Sequence, residues 1–188
     1  MWWAWFYSSS EQHRYRVHLL TGIVGALLAL FVARALAFAL PLRLRPLLDP
    51  TLHFRPPSGL PDQSNWTTWS SFPSDHAALF FALGLGVWHV SRKGGIALLL
   101  YILLFICLPR LYVGIHYPSD ILAGAILAYW AVALLGARKI NEIWTKPLFL
   151  LLERSPGFFY AMFFLLTFQI ATLFWDIRTL LSSFGLSV

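Results

Sequence analysis

Residues 71–88 read "SFPSDHAALFFALGLGVW". The stretch opens with a proline, a hydroxyl, a carboxylate and an imidazole, Pro73-Ser74-Asp75-His76, and passes directly into an apolar run with no charged residue. The run shows neither strand alternation nor frequent turn signals, so it reads as a helix buried in an apolar medium. Packing accounts for the apolar part. It does not account for three polar functional groups gathered at the entrance.

The whole chain repeats that composition. Of 188 residues, 59% are hydrophobic and 12% are charged, whereas a soluble domain carries about 25% charged and 45–50% apolar residues. The chain is therefore expected to be an all-α polytopic membrane protein, a transmembrane helical bundle forming one integral membrane domain over residues 1–188. The formal charge of +6 is assigned to topology and lipid headgroups, not to nucleic acid. Cys107 is the sole cysteine, so an intrachain disulfide or a multi-cysteine metal site is excluded, and a reduced packed thiol is expected.

A spanning helix needs about 20 apolar residues. Five candidates follow: Val17–Leu40, His76–Val90, Gly95–Leu108, Pro118–Gly136 and Pro156–Trp175. Pro41 and Pro109 are read as helix exits, and Pro118 and Pro156 as first-turn residues. The second and third candidates are short and are expected to extend into their flanks. Ala137–Ser155 is a basic connection with room for a short interfacial helix. The connection 41–73, about thirty residues rich in Pro, Trp and Ser, has the length of a functional lid or binding loop. The start, "MWWAWFY", lacks the features of a signal peptide. It reads either as the interfacial tail of a helix whose body is absent, one or two helices short of a six-helix core, or as an aromatic anchor lying on the membrane.

Alternation of the helices then places the end of the first, the start of the second, the end of the third and the start of the fourth on one side. That side collects Arg43 and Arg45, Pro73-Ser74-Asp75-His76, and "PRLYVGIHYPSD" at 109–120. The other side carries Arg14, Arg16, Arg92, Lys93, Arg138, Lys139, Lys146 and Arg154, against Arg34, Arg43, Arg45, Arg55, Arg110 and Arg178. By the positive-inside rule the polar clusters face the outside, the periplasmic side of a bacterial inner membrane.

Arginine forks match phosphate oxygens, and a helix beginning at Ser74-Asp75-His76 directs unpaired N–H groups toward an anion. His116 and Asp120 lie four apart across Pro118, so the carboxylate reaches the imidazole and fixes its tautomer, leaving the other nitrogen as nucleophile or base. His76 supplies an acid. The implied chemistry is phosphoryl transfer to histidine and then to water. His13, His18, His53 and His89 read as ordinary interfacial residues, and Arg34 as a side chain snorkelling from the first helix. A histidine metal site is disfavoured by the arginines beside it.

With these residues in place the chain resembles the type 2 phosphatidic acid phosphatase family, known by Lys-x6-Arg-Pro, Pro-Ser-Gly-His and Ser-Arg-x5-His-x3-Asp. The corresponding residues are Arg45-Pro46, then Pro73-Ser74-Asp75-His76, then Arg110, His116 and Asp120 at the family spacing, within a core of about residues 15–136, the helix at about 156–175 lying beyond it. The resemblance implies His116 as the nucleophile, Asp120 as its orienting partner, His76 as the acid, and Arg45, Arg110, Ser74 and the backbone N–H of Asp75 as phosphate ligands, with no metal and no cofactor. Three departures stand out. Asp75 occupies the usual Gly position and is expected to turn its carboxylate toward a nearby arginine. Pro109 replaces a Ser. Phe38 occupies the lysine position, leaving Arg34, or else Arg43, to supply that charge.

The sequence thus points to a membrane lipid phosphatase. Undecaprenyl diphosphate is the first substrate, with phosphatidic acid and phosphatidylglycerophosphate as alternatives, and the loop 41–73 caps the headgroup while the tail lies among membrane lipids. The rival classes are a transporter or channel using the same polar residues, and a noncatalytic membrane scaffold. Single cysteines placed in 41–73 should react with an impermeant reagent from outside. Labelling only after permeabilisation would reverse the orientation.

Overall fold

The structure, a computed structural model, describes residues 2–6, 10–55, 57 and 69–172. The middle of the 41–73 connection, the expected last residues of the fifth helix at 173–175, and Arg178 lie outside the described residues. Those described form helices α1 (Trp2–Phe6), α2 (Gln12–Ala39), α3 (Asp75–Val90), α4 (Arg92–Tyr112), α5 (Pro118–Gly136), α6 (Arg138–Arg154) and α7 (Pro156–Ala171), with no strand among them. The expected all-α fold is what the chain adopts. Helices α2, α4 and α5 are long and apolar enough to cross a membrane, while α3 and α7 are shorter apolar helices of 16 residues.

The chain forms two compact units, Met1–Asn141 and Glu142–Val188. In the first, α2, α3 and α5 pack on one another, and α4 packs on α3. Lipid gives little hydrophobic drive to helix association, so close van der Waals packing over small residues must supply it. Ala29, Ala33, Ala78 and Ala131 accordingly form one buried cluster. A Cβ on Gly22 would stand 2.8 Å from the Gly86 Cα, so α2 and α3 cross at bare backbone. Cys107 is buried and free, beside Ala77, Ile102 and Ile121. In the second unit, α7 starts after Ser155, whose N–H still bonds the Leu151 carbonyl at 2.9 Å, and Pro156 occupies its first turn.

The third helix extends into both flanks as expected, α4 running from Arg92 to Tyr112, but Pro109 is not its exit. A proline inside an α-helix removes one N–H and clashes with the carbonyl four residues back. Here the preceding turns widen into π-helix over Ile102–Cys107, with the Leu108 N–H bonding Leu103, and the looser turn makes room for the ring. The second helix extends by Asp75 alone: Ser74 caps it, accepting from the Ala77 N–H at 3.4 Å. The basic connection holds the 17-residue helix α6, longer than expected, because its polar and apolar residues separate onto opposite faces.

One contact ties this packing to the polar end of the bundle. A Cβ on Gly124 of α5 would lie 2.5 Å from the Ser74 carbonyl and 2.8 Å from the Ala77 Cβ, so only glycine lets α5 approach the first turn of α3. Gly124→Ala should destabilise the protein by about 1–3 kcal/mol through overpacking, read as a lower thermal midpoint in detergent. A midpoint equal to wild type would show that the contact is not tight.

Candidate functional site

The ends of α2 and α4 and the starts of α3 and α5 meet on one face, as alternation of the helices requires. Main-chain bonds hold the connecting segments together: Ser71 N–H to the Arg43 carbonyl at 2.9 Å, Leu47 N–H to Gly114 at 3.0 Å, and Ser74 N–H to Asp120 at 3.0 Å. Helix α4 ends with Gly114 at φ 76°, where the Ile115 N–H bonds the Arg110 carbonyl at 2.9 Å and the Gly114 N–H bonds Leu111 at 3.0 Å. This paired terminus needs a residue comfortable at positive φ. It folds the chain back, so that His116 lies beneath the last turn of the helix that carries Arg110. The terminating signal in the sequence was Gly114, not Pro109.

Asp120 is fully buried, and both its oxygens are engaged. Oδ1 accepts from Arg43 Nη1 at 2.7 Å, and Oδ2 accepts from the Tyr117 N–H at 2.7 Å, at the first turn of α5. Arg43 also donates to Ser119 Oγ at 3.0 Å and stacks on the Tyr117 ring at 4.1 Å. The Tyr117 phenol donates to Asp49 Oδ2 at 3.2 Å. Burial, with that bond, pushes the phenol above its ordinary pKa.

His116 is 5% exposed. Its Nδ1 lies 2.9 Å from the Ser71 carbonyl and 3.7 Å from Asp120 Oδ2. A carbonyl can only accept, so Nδ1 carries the proton and Nε2 keeps its lone pair. The expected pairing with Asp120 is thus an approach beyond hydrogen-bond distance, and the acceptor that sets the tautomer is the Ser71 carbonyl. No sequence spacing marks a backbone carbonyl 45 residues away.

Asp75 lies 2.7 Å from His76 Nδ1 through Oδ1, and Oδ2 accepts from Arg34 Nη2 at 2.6 Å. The expectation that this carboxylate turns toward an arginine matches that geometry, and the arginine is Arg34. Neither candidate for the missing lysine therefore stands idle: Arg34 holds Asp75, and Arg43 holds Asp120. Phe38 itself rests near the Trp69 ring, with centroids 5.9 Å apart.

Two arginines remain directed into the cluster. Arg45 donates to the Ile115 carbonyl at 3.3 Å. Burial pushes its guanidinium below the ordinary value, Asp75 and Asp120 oppose that shift, and Arg110 and Arg34 add to it, which puts all four charges within electrostatic reach of Arg45. The Arg110 guanidinium has no hydrogen-bond partner among the described residues. Ser74 is fully buried at the α3 N-terminus. The face therefore brings together every residue the motifs singled out: Arg34, Arg45, Ser74, Asp75, His76, Arg110, His116 and Asp120. It adds Ser71, Tyr117 and Trp69, which motif reading missed. Four arginines and two aspartates surrounding two histidines can bind and transfer an anionic group.

Removing Arg43 would strand the buried Asp120 carboxylate without its cation. Arg43→Ala should destabilise the protein by about 1–3 kcal/mol, seen as a lower detergent melting midpoint, with Arg43→Lys intermediate. A wild-type midpoint for the alanine variant would remove Arg43 as the support of Asp120.

A family model described as the PAP2 superfamily matches residues 18–142. The chain is 35% identical over 78 residues to a bacitracin transport permease protein, BcrC, of Bacillus licheniformis, covering 42% of this chain and 34% of that protein. It is 30% identical over 95 residues to a putative undecaprenyl-diphosphatase, YbjG, of Escherichia coli, covering 50% and 44%. It is 40% identical over 57 residues to a lipid A 4'-phosphatase of Bacteroides thetaiotaomicron, covering 30% and 25%. The matches thus span less than half the length of each relative. No solved structure matches the chain.

Proposed function

Because the chain belongs to the PAP2 superfamily, we propose that it is an integral membrane phosphatase that hydrolyses the phosphate or diphosphate of a lipid through a phosphohistidine. The observation that carries this reading is the matched state of the two histidines. His116 and His76 each have Nδ1 held by an acceptor, at 2.9 Å and 2.7 Å, so each offers Nε2 to the substrate, beside Arg45 and Arg110.

In this mechanism Arg45, Arg110, the Ser74 hydroxyl and the Asp75 main-chain N–H bind the phosphate oxygens. His116 Nε2 attacks phosphorus, and a P–N bond forms as the bond to the leaving oxygen breaks. His76 gives its Nε2 proton to that oxygen. In the second half, His76 takes a proton from water as the water attacks phosphorus, the P–N bond breaks, and His116 returns with free phosphate. Asp120 stabilises the positive charge that develops on His116. Undecaprenyl diphosphate is the first substrate, supported by the name of one relative. Phosphatidic acid and phosphatidylglycerophosphate remain alternatives, since the residues named here contact phosphate and not the tail. The site faces the outside of the membrane, and the reaction needs no metal.

A transport reading is favoured by the name of another relative. The packing weighs against it. A cavity of about 560 Å³ at the opposite end of the first unit holds His18, Thr21, His89 and Asn141, but between it and the site lie the buried alanines Ala29, Ala33, Ala78 and Ala131, which line no polar path.

Release of inorganic phosphate from a panel of lipid phosphates, in detergent with EDTA, tests the proposal. Wild type should turn over at least one of them, and His116→Ala should fall to the uncatalysed background. Unchanged release by that variant would overturn the phosphohistidine. Activity lost in EDTA and restored by a single divalent ion would overturn the metal-free step.

A further inference from the structure

Two of the departures from the family motifs, aromatic Phe38 at the lysine position and acidic Asp75 at the glycine position, meet in one chain of contacts. Phe38 lies against Trp69, with centroids 5.9 Å apart. The Trp69 ring lies 5.0 Å beneath the Arg34 guanidinium, one helical turn before Phe38 on α2. Arg34 Nη2 donates to Asp75 Oδ2 at 2.6 Å. Asp75 Oδ1 receives both the His76 main-chain N–H and His76 Nδ1, each at 2.7 Å.

A carboxylate beside a phosphate site would ordinarily repel the substrate. Here both oxygens are occupied, and the Arg34 and Asp75 side chains are only 25% and 22% exposed, so solvent screens their attraction weakly. Trp69 limits the freedom of a long side chain that would otherwise sample many rotamers. The arrangement parallels the one around the second histidine, where Arg43 holds Asp120 and Asp120 lies beside His116.

We propose that Arg34 and Asp75 are positioning residues for His76: Asp75 fixes the imidazole with its Nδ1 proton turned away from substrate, and Arg34, seated on Trp69, neutralises the carboxylate so that phosphate can enter. This rests on the phosphatase reading above. It moves the Arg34 side chain from the phosphate-binding set to a supporting one and gives the Asp75 carboxylate a task separate from its main-chain N–H. It also accounts for the two motif departures together, since an acidic residue at 75 is tolerable only with a cation held beside it, and Phe38 shapes the platform that holds that cation. The other charged groups near the unit are Arg45, Arg110 and His116, which belong to the substrate side.

The test separates kcat from KM for the best lipid phosphate in the panel. Arg34→Ala exposes the carboxylate and should raise KM roughly tenfold, whereas Arg34→Lys keeps the charge and should hold KM within about threefold. Asp75→Gly removes the orienting acceptor and should lower kcat about tenfold to a hundredfold without raising KM. In Arg34→Ala/Asp75→Gly, KM should return to the wild-type value while kcat stays at the level of the Asp75 variant. A damaged fold cannot produce that recovery. A wild type with no turnover would overturn the phosphatase reading and this role with it. With an active wild type, an unchanged KM in Arg34→Ala, an unchanged kcat in Asp75→Gly, or a double variant whose KM stays raised would overturn the role alone. Asp75→Asn, close to isosteric, guards against a glycine effect on the helix: its kcat should also fall, and wild-type kcat would count against the proposal.

Discussion

The site depends on a single buried carboxylate. Asp120 has no solvent exposure, so its charge must be met within the protein. Arg43, just beyond α2, and the Tyr117 N–H, at the start of α5, satisfy its two oxygens. Its main-chain carbonyl takes the Ser74 N–H at the start of α3. One residue therefore joins three segments that are distant in sequence. His116, four residues earlier, lies within 3.7 Å of the same carboxylate. The geometry around His116 and the closure of this end of the bundle share one electrostatic requirement.

Around that node the charges are sorted. Two arginines are spent on two aspartates, and each aspartate adjoins one histidine. Arg45 and Arg110 bring further positive charge to the same face. This division separates groups that hold the histidines from groups that attract an anion. Such a separation is what a phosphoryl-transfer site requires, because catalysis of this kind is mainly positioning and electrostatic stabilisation. Burial sharpens it, since an unpaired carboxylate with no solvent exposure is poorly tolerated.

Helix packing sets how closely these groups approach. Small residues at the α2–α3 crossing and at Gly124 bring backbones together, and the first turn of α3 is pressed onto α5 for that reason. The widened turn at Ile102–Cys107 serves the same end differently: it lets α4 continue through Pro109, so that Arg110 rides on an ordered helix and not on a loop.

Much of this was legible in the sequence. Composition determined a membrane-embedded helical protein, because so little charge cannot solvate a soluble surface. Strict alternation of helices placed the polar clusters on one side, and the spacing of His116 and Asp120 announced their proximity, since four residues across a helix start bring side chains together. Three things were decided only by the tertiary structure. The tautomer of His116 follows from the Ser71 carbonyl, and a main-chain acceptor leaves no mark in residue identity. The separate tasks of Arg34 and Arg43 follow from which aspartate each guanidinium reaches, and both lie near enough in sequence to serve either. The passage of α4 beyond Pro109 follows from a local change of helical register. Sequence alone specifies which groups are present and roughly where; which of them pair depends on distances of a few ångströms that only the packed helices define.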